Sequence, residues 1–188
     1  MTYEEKLNEL LELNLSDRGF SLWKAIKEIL PDIWEKPTSS TGKYHKKQDG
    51  SIPSIAGHTF EMLNAGIKLL RMFNIKENTS DADTLLLGIV LHDSLKYGKD
   101  GFRKHTDNKH DRLAGDMIKA NRNTFTKLLT EDQCNTLEES VRFHSGRWSS
   151  DVDKNEEFSF KDYEPQTFFI HILDMLSTAD VLKTNFKE

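Results

Sequence analysis

Apolar residues recur along most of the chain at the three- and four-residue spacing of an amphipathic α-helix. The clearest segments are residues 7–11, 22–30, 62–73, 85–91, 113–118 and 168–176. Gly, Pro, Asn and Ser residues separate them, and no stretch shows the alternation of a half-buried strand. The pattern predicts an all-α fold, a bundle of roughly six to eight helices with long irregular loops.

The same pattern divides the chain into three parts of one predicted domain, residues 1–188. Residues 1–34 are expected to form an N-terminal helical pair, and residues 58–188 a helical core. The stretch 35–57 between them is too rich in Ser, Thr, Gly, Lys and Pro to be a helix, and long ordered loops of this kind are often functional. A second irregular stretch, 146–164, is expected to be a lid or an exposed insertion.

Composition narrows the class of protein. The net charge of −5 disfavours generic binding to duplex nucleic acid. The single cysteine, Cys134, can form neither an internal disulfide nor a thiolate metal cage, which points to the reducing cytoplasm. No apolar stretch reaches the roughly 20 residues that span a bilayer, and residues 1–14 are acidic and amphipathic, so neither secretion nor membrane insertion is expected.

Candidate chemistry centres on a His-Asp pair. His92 and Asp93 end the apolar run 85–91, which is long enough to be anchored in a core. A second pair, His110 and Asp111, lies in a polar stretch and is the weaker anchor. Without thiolates, a metal site must collect imidazole and carboxylate ligands from different elements, because neighbours on one helix cannot surround an ion. His58 near the start of one helix and Asp180 near the end of the last are suitable further ligands.

This arrangement resembles the HD-domain metal-dependent phosphohydrolases, in which a histidine, a His-Asp pair and a distant aspartate lie on a helical bundle. The resemblance spans residues 39–183. Beyond the pair, Lys96 follows after two residues, as is frequent in that family. Upstream, Thr41-Gly42-Lys43-Tyr44-His45 and then Gly57-His58-Thr59 look like the corresponding motifs of phage and bacterial HD proteins, including some 3'-5' exoribonucleases.

The resemblance implies a ligand set. The first ion would be held by His58, His92, Asp93 and Asp180, with Asp174 as the rival to the last of these. A second ion would be held by His110 and His144, with Asp93 bridging the two. The sequence leaves open whether the site holds one ion or two. Imidazole-rich coordination favours Mn, Fe, Co, Ni or Zn over Mg.

The resemblance also implies an activity, the hydrolysis of a nucleotide phosphoester or phosphoanhydride by a metal-activated water, with a deoxynucleotide as the first guess. Asp93 would orient the water or accept its proton. Lys96, four residues after His92, would reach a phosphate oxygen or pair with Asp93, and Arg147 and Lys43 are further phosphate-binding candidates.

Two other function classes stay open. One is a 3'-5' exonuclease-like phosphodiesterase on single-stranded nucleic acid, which would use the 35–57 loop and Trp148 as a channel. The other is a non-catalytic module that senses a nucleotide. His45 and His105 lie among lysines and threonines and are expected to be solvated, whereas Trp23 and Trp34 fit helix packing.

Overall fold

The computed structural model describes residues 1–42, 45–47, 49–76, 78–149, 151, 161 and 163–178. Within these ranges the fold is all-helical, as predicted, with eight α-helices and no strand. They are α1 (Tyr3–Asn14), α2 (Asp17–Lys27), α3 (Ile55–Met72), α4 (Ser80–Leu91), α5 (His110–Ala120), α6 (Arg122–Phe125), α7 (Glu131–Arg142) and α8 (Pro165–Thr178). A 3-10 turn, Gly146–Trp148, lies between α7 and α8. None of the described helices has the length and apolar character needed to cross a bilayer.

Hydroxyl side chains set where many of these helices begin. Thr2 and Thr130 each form a capping box with the residue three positions later. Ser16, Ser54 and Thr79 each accept a hydrogen bond from the backbone N–H three residues on. Because Ser54 caps α3, this helix includes the last three residues of the stretch predicted as a loop at 35–57.

Helix α4 lies at the centre of the bundle. Its residues from Ala82 to Leu91 are all buried, and it packs against α2, α3, α7 and α8. A helix that is apolar on all sides is expected to be enclosed in this way. Its carboxyl end therefore opens inside the protein, and His92 and Asp93, which follow it, have no exposed surface.

The N-terminal helices belong to the same hydrophobic core. Helix α1 packs on α3 and α2 on α4. The buried carboxylate of Asp83 on α4 accepts hydrogen bonds from the backbone N–H of Ser16, at 2.8 Å, and from its hydroxyl. Trp23 and Trp34 are buried with their rings edge to face, 5.8 Å between centroids, which confirms that they serve packing.

Hydrogen bonds join the two ends of the loop between α2 and α3 and hold the loop against the segment that follows α4. The N–H of Thr38 donates to the carbonyl of Pro53 at 3.0 Å. The hydroxyl of Tyr97, in the segment after α4, donates to the carbonyl of Pro37 at 2.7 Å. These contacts place the loop beside the His-Asp pair.

Candidate metal centre

Five of the six predicted metal ligands meet at the carboxyl end of α4. One comes from the first turn of α3, two follow α4, one begins α5 and one follows α7. They are His58, His92, Asp93, His110 and His144. The sixth, Asp180, lies outside the described residues, and its role stays a prediction.

One group of ligand atoms surrounds a point beside Asp93 Oδ2. His58 Nε2 and His92 Nε2 are 3.2 Å apart, and they lie 3.9 and 3.4 Å from Asp93 Oδ2. The point equidistant from the three atoms is about 2 Å from each, close to the ~2.0–2.2 Å at which zinc binds imidazole nitrogen and carboxylate oxygen. These separations fit a transition-metal ion.

The other carboxylate oxygen of Asp93 faces a second group. His110 Nε2 lies 3.0 Å and His144 Nε2 3.8 Å from Asp93 Oδ1. Among the described residues no hydrogen bond to this buried oxygen is formed. A buried carboxylate oxygen without a donor is costly, and a cation between it and the two imidazoles would satisfy it. This geometry is compatible with Asp93 as a bridging ligand.

Three of the imidazoles are fixed in one tautomer by the backbone. The Nδ1 atoms of His92, His110 and His144 lie 2.6, 2.8 and 2.7 Å from the carbonyl oxygen of the residue three positions earlier. A carbonyl only accepts, so the ring proton sits on Nδ1 and the Nε2 lone pair of the neutral ring points into the cluster. Metal-bound histidines are commonly oriented by such contacts.

His58 is oriented by side chains instead. Its Nδ1 lies 2.9 Å from Ser177 Oγ, and this hydroxyl donates to Glu61 Oε2 at 3.3 Å. Lys47 Nζ donates to the same Glu61 oxygen at 2.6 Å. Because the serine hydroxyl has a single proton, it accepts from His58 Nδ1–H and leaves the Nε2 lone pair facing the cluster. The sequence analysis did not predict this relay, the chain of hydrogen bonds from His58 through Ser177 to Glu61. Its one local signal is the position of Glu61 one turn after His58.

Asp174 joins the cluster from α8. Its Oδ1 is 3.2 Å from His58 Nε2, so the aspartate placed second to Asp180 in the sequence contacts a predicted ligand directly. His45 also belongs here: it is buried, and its ring centroid lies 4.6 Å from that of His58. The expectation that His45 is solvated was wrong, because the 35–57 loop folds back over the cluster, whereas His105 is exposed as expected. In the sequence, the motif of residues 41–45 was the signal that could have indicated a place for His45 in the site.

Both carboxylates of the cluster are held ionised. Burial raises the pKa of Asp93, but Lys96 and His92 outweigh burial and bring the pKa well below its usual range. Burial likewise raises the pKa of Asp174, and the nearby imidazole of His58, with Nε2 3.2 Å from Asp174 Oδ1, lowers it further than burial raises it. Two buried carboxylates and the Lys96 ammonium share this cluster with His92, whose pKa burial lowers but the charge of Asp93 and its hydrogen bond raise above its usual value. Buried charge of this kind favours a bound cation.

Lys96 reaches Asp93 through a tight turn rather than through a continued α-helix. The N–H of Lys96 donates to the Asp93 carbonyl at 3.0 Å, a three-residue turn, and its Nζ lies 2.5 Å from Asp93 Oδ2. The pairing considered from the sequence is therefore present. Lys96 is only 8% exposed, and it also lines the cavity beside the cluster. Contact with a phosphate stays a prediction.

A cavity of about 380 Å³ adjoins the cluster. Besides four cluster residues, its lining includes Thr38, Ser39, Thr41, Lys96, Thr106 and Asn108. Arg147 is exposed next to Trp148 and is not among the lining residues, while Lys43 lies outside the described residues. The phosphate-binding roles assigned to both stay predictions.

Comparison of the chain with protein-family models, with curated proteins and with solved structures gives no match. The resemblance to HD-domain hydrolases therefore rests on the motif residues of the sequence. The structure adds that these residues form buried His/Asp groups that can hold a metal ion, next to a cavity that can admit a small ligand.

Proposed function

We propose that this protein is an HD-type phosphohydrolase that uses one or two divalent transition-metal ions to cleave a nucleotide phosphoester or phosphoanhydride. The observation that carries the proposal is the convergence of four imidazole Nε2 atoms on the two buried oxygens of Asp93. A divalent cation at such a site supplies activation of water and polarisation of a phosphoryl oxygen.

The protein's own groups have separate roles in this proposal. Asp93, ionised because of Lys96 and His92, accepts a hydrogen bond from the attacking water and orients it. Lys96 presents its ammonium to a phosphate oxygen from the cavity wall. The hydroxyl of Ser39 and the amide of Asn108 are further donors on that wall. A divalent cation would add positive charge to the cluster, which suits an anionic substrate.

The size of the cavity favours a small substrate. A volume of about 380 Å³ lies at the lower end of the range for small-molecule sites, ~300–1,000 Å³. A mononucleotide fits this scale better than a polymer does. The test also distinguishes two alternative functions, cleavage of single-stranded nucleic acid and nucleotide sensing without catalysis.

The test is a hydrolysis panel with the purified full chain, supplemented in turn with Mn, Fe(II), Co, Ni or Zn. The substrates are deoxynucleoside mono- and triphosphates, cyclic nucleotides and single-stranded oligonucleotides. We expect metal-dependent hydrolysis of a mononucleotide, detected as release of phosphate or pyrophosphate. In Asp93→Asn the rate should fall about 10²-fold or more. The matched variant Asp32→Asn, at a site outside the cluster, should keep the wild-type rate.

Three results would overturn the proposal in different ways. Hydrolysis that is unchanged in Asp93→Asn would refute the site. Tight nucleotide binding with no hydrolysis of any substrate would favour the sensing module. Cleavage confined to oligonucleotides, with binding that weakens steeply as salt rises, would favour the nuclease.

A further inference from the structure

An exposed tryptophan lies at the rim of the cavity. Trp148 is 64% exposed, whereas Trp23 and Trp34 are 1% and 3% exposed. Trp148 lines the same cavity as Lys96 and Asp174. A large aromatic surface kept in water beside a polar cavity contributes little to stability and is typical of a binding surface.

One face of the indole packs against a second ring. The ring of His171 stacks against it, with 6.5 Å between centroids and 21° between planes. His171 Nδ1–H in turn donates to the carbonyl of His144 at 2.7 Å, so the support is tied to a residue of the metal centre. The position of the Trp148 ring is thus linked through His171 to the metal centre.

The turn that presents Trp148 depends on a glycine. Gly146 has φ +58°, in the left-handed region, and a Cβ there would lie 2.7 Å from His171 Cε1. Only glycine permits both the turn and the close approach of the supporting ring. The position of Trp148 is therefore built into the fold.

We infer that Trp148 is a stacking platform for the heteroaromatic base of the substrate, whose phosphate lies against Lys96 on the wall of the same cavity. This inference rests on the proposed function and narrows its substrate class to base-bearing nucleotides, as opposed to sugar phosphates or inorganic polyphosphates. Trp148 and Lys96 line one cavity of about 380 Å³, so a single mononucleotide can contact both.

Arg147 leaves room for such a base. Its guanidinium carbon lies 5.9 Å from the Trp148 ring centroid, and the side chain is exposed. A cation–π contact in water is weaker than the stacking of a base on an indole, so a base can displace the guanidinium.

The experiment compares two ligands on the Mn²⁺-loaded full chain by calorimetry. The probes are deoxyadenosine 5'-methylenephosphonate, whose carbon–phosphorus bond resists hydrolysis, and the matched deoxyribose phosphonate without a base. We expect Trp148→Ala to weaken binding of the nucleoside phosphonate about 5- to 150-fold and to leave binding of the base-free probe unchanged. Trp148→Phe, which keeps an aromatic face, should retain most of the affinity and covers the case in which the alanine variant misfolds.

Fluorescence gives an independent reading. The nucleoside phosphonate should quench the emission of the wild type but not that of Trp148→Phe, in which the remaining indoles, Trp23 and Trp34, are buried. Equal loss of affinity for both probes, or no loss for either, would overturn the stacking role. If no substrate is hydrolysed while base-dependent binding through Trp148 persists, the hydrolase proposal fails and the platform stands. If hydrolysis is observed and is indifferent to Trp148, the hydrolase proposal stands and the platform fails.

Discussion

Replacing Ser177 with alanine tests whether the side-chain relay makes His58 a metal ligand. The variant removes the oxygen that lies 2.9 Å from His58 Nδ1 in a fully buried site. An unsatisfied buried donor costs about 1–3 kcal/mol. The ring can avoid that cost by moving its proton to Nε2, which removes the lone pair that faces the cluster. Metal binding then has to restore the Nδ1–H tautomer and its unsatisfied donor, so the metal affinity falls.

The expected magnitude follows from the same energy. A loss of ~1.4 kcal/mol is tenfold in affinity, so about 1–3 kcal/mol corresponds to roughly 5- to 150-fold in the metal dissociation constant. Competition with a chromogenic chelator for Zn²⁺ or Mn²⁺ measures it. Ser140→Ala is the matched control, because Ser140 is also a buried serine but donates to the Leu137 carbonyl on α7. It should lower stability and leave metal affinity unchanged.

A Ser177→Ala protein that binds metal within about twofold of wild type would refute the reasoning, since Ser177 is the hydrogen-bond partner that the described residues provide for His58 Nδ1. Equal weakening in Ser177→Ala and Ser140→Ala would also refute it. That result would assign the effect to general loosening of the bundle.

Three further outcomes are expected. Lys96→Met should lower kcat/KM about 10²-fold, measured by phosphate release, with the metal content unchanged. Burial and, next, neighbouring imidazoles lower the pKa of His45 and His144 from 6.5 to about 3. Between these two pH values both rings stay neutral in the folded protein but take up a proton in the unfolded chain. The free energy of unfolding in chelator, measured with urea, should therefore fall between pH 6.5 and 3, by up to ~1.4 kcal/mol per pH unit for each. Gly146→Ala should lose about 1–3 kcal/mol in thermal unfolding, more than Gly50→Ala, whose added Cβ would lie 3.8 Å from Lys46 Cε, an ordinary contact distance.

The run 85–91 shows why part of the site was predictable. A stretch apolar on every side must be enclosed, so a His-Asp pair at its end must emerge within the bundle. The pattern also separated this pair from His110 and Asp111, which begin a helix at the edge of the cluster. Helix capping by Ser54 places His58 in the first turn of α3, one turn before Glu61.

Other features depend on tertiary contacts that no local pattern encodes. The approach of Asp174 to His58 joins residues far apart in the chain, whereas the preference for Asp180 rested on the family's Ala-Asp context and on its flanking residues. The burial of His45 follows from the folding of an irregular loop over the cluster. The chain beyond α4 continues in three-residue turns, which changes the path by which Lys96 reaches Asp93.

Metal stoichiometry shows whether Asp93 organises a metal centre. The full chain would be incubated with Zn²⁺ or Mn²⁺, freed of excess ion by gel filtration and examined by elemental analysis beside Asp93→Asn and Asp32→Asn, with folding checked by circular dichroism. We predict one or two ions per chain in the wild type and in Asp32→Asn, and none above background in a folded Asp93→Asn protein. A folded Asp93→Asn protein that keeps the wild-type metal count would mean that Asp93 does not hold the metal.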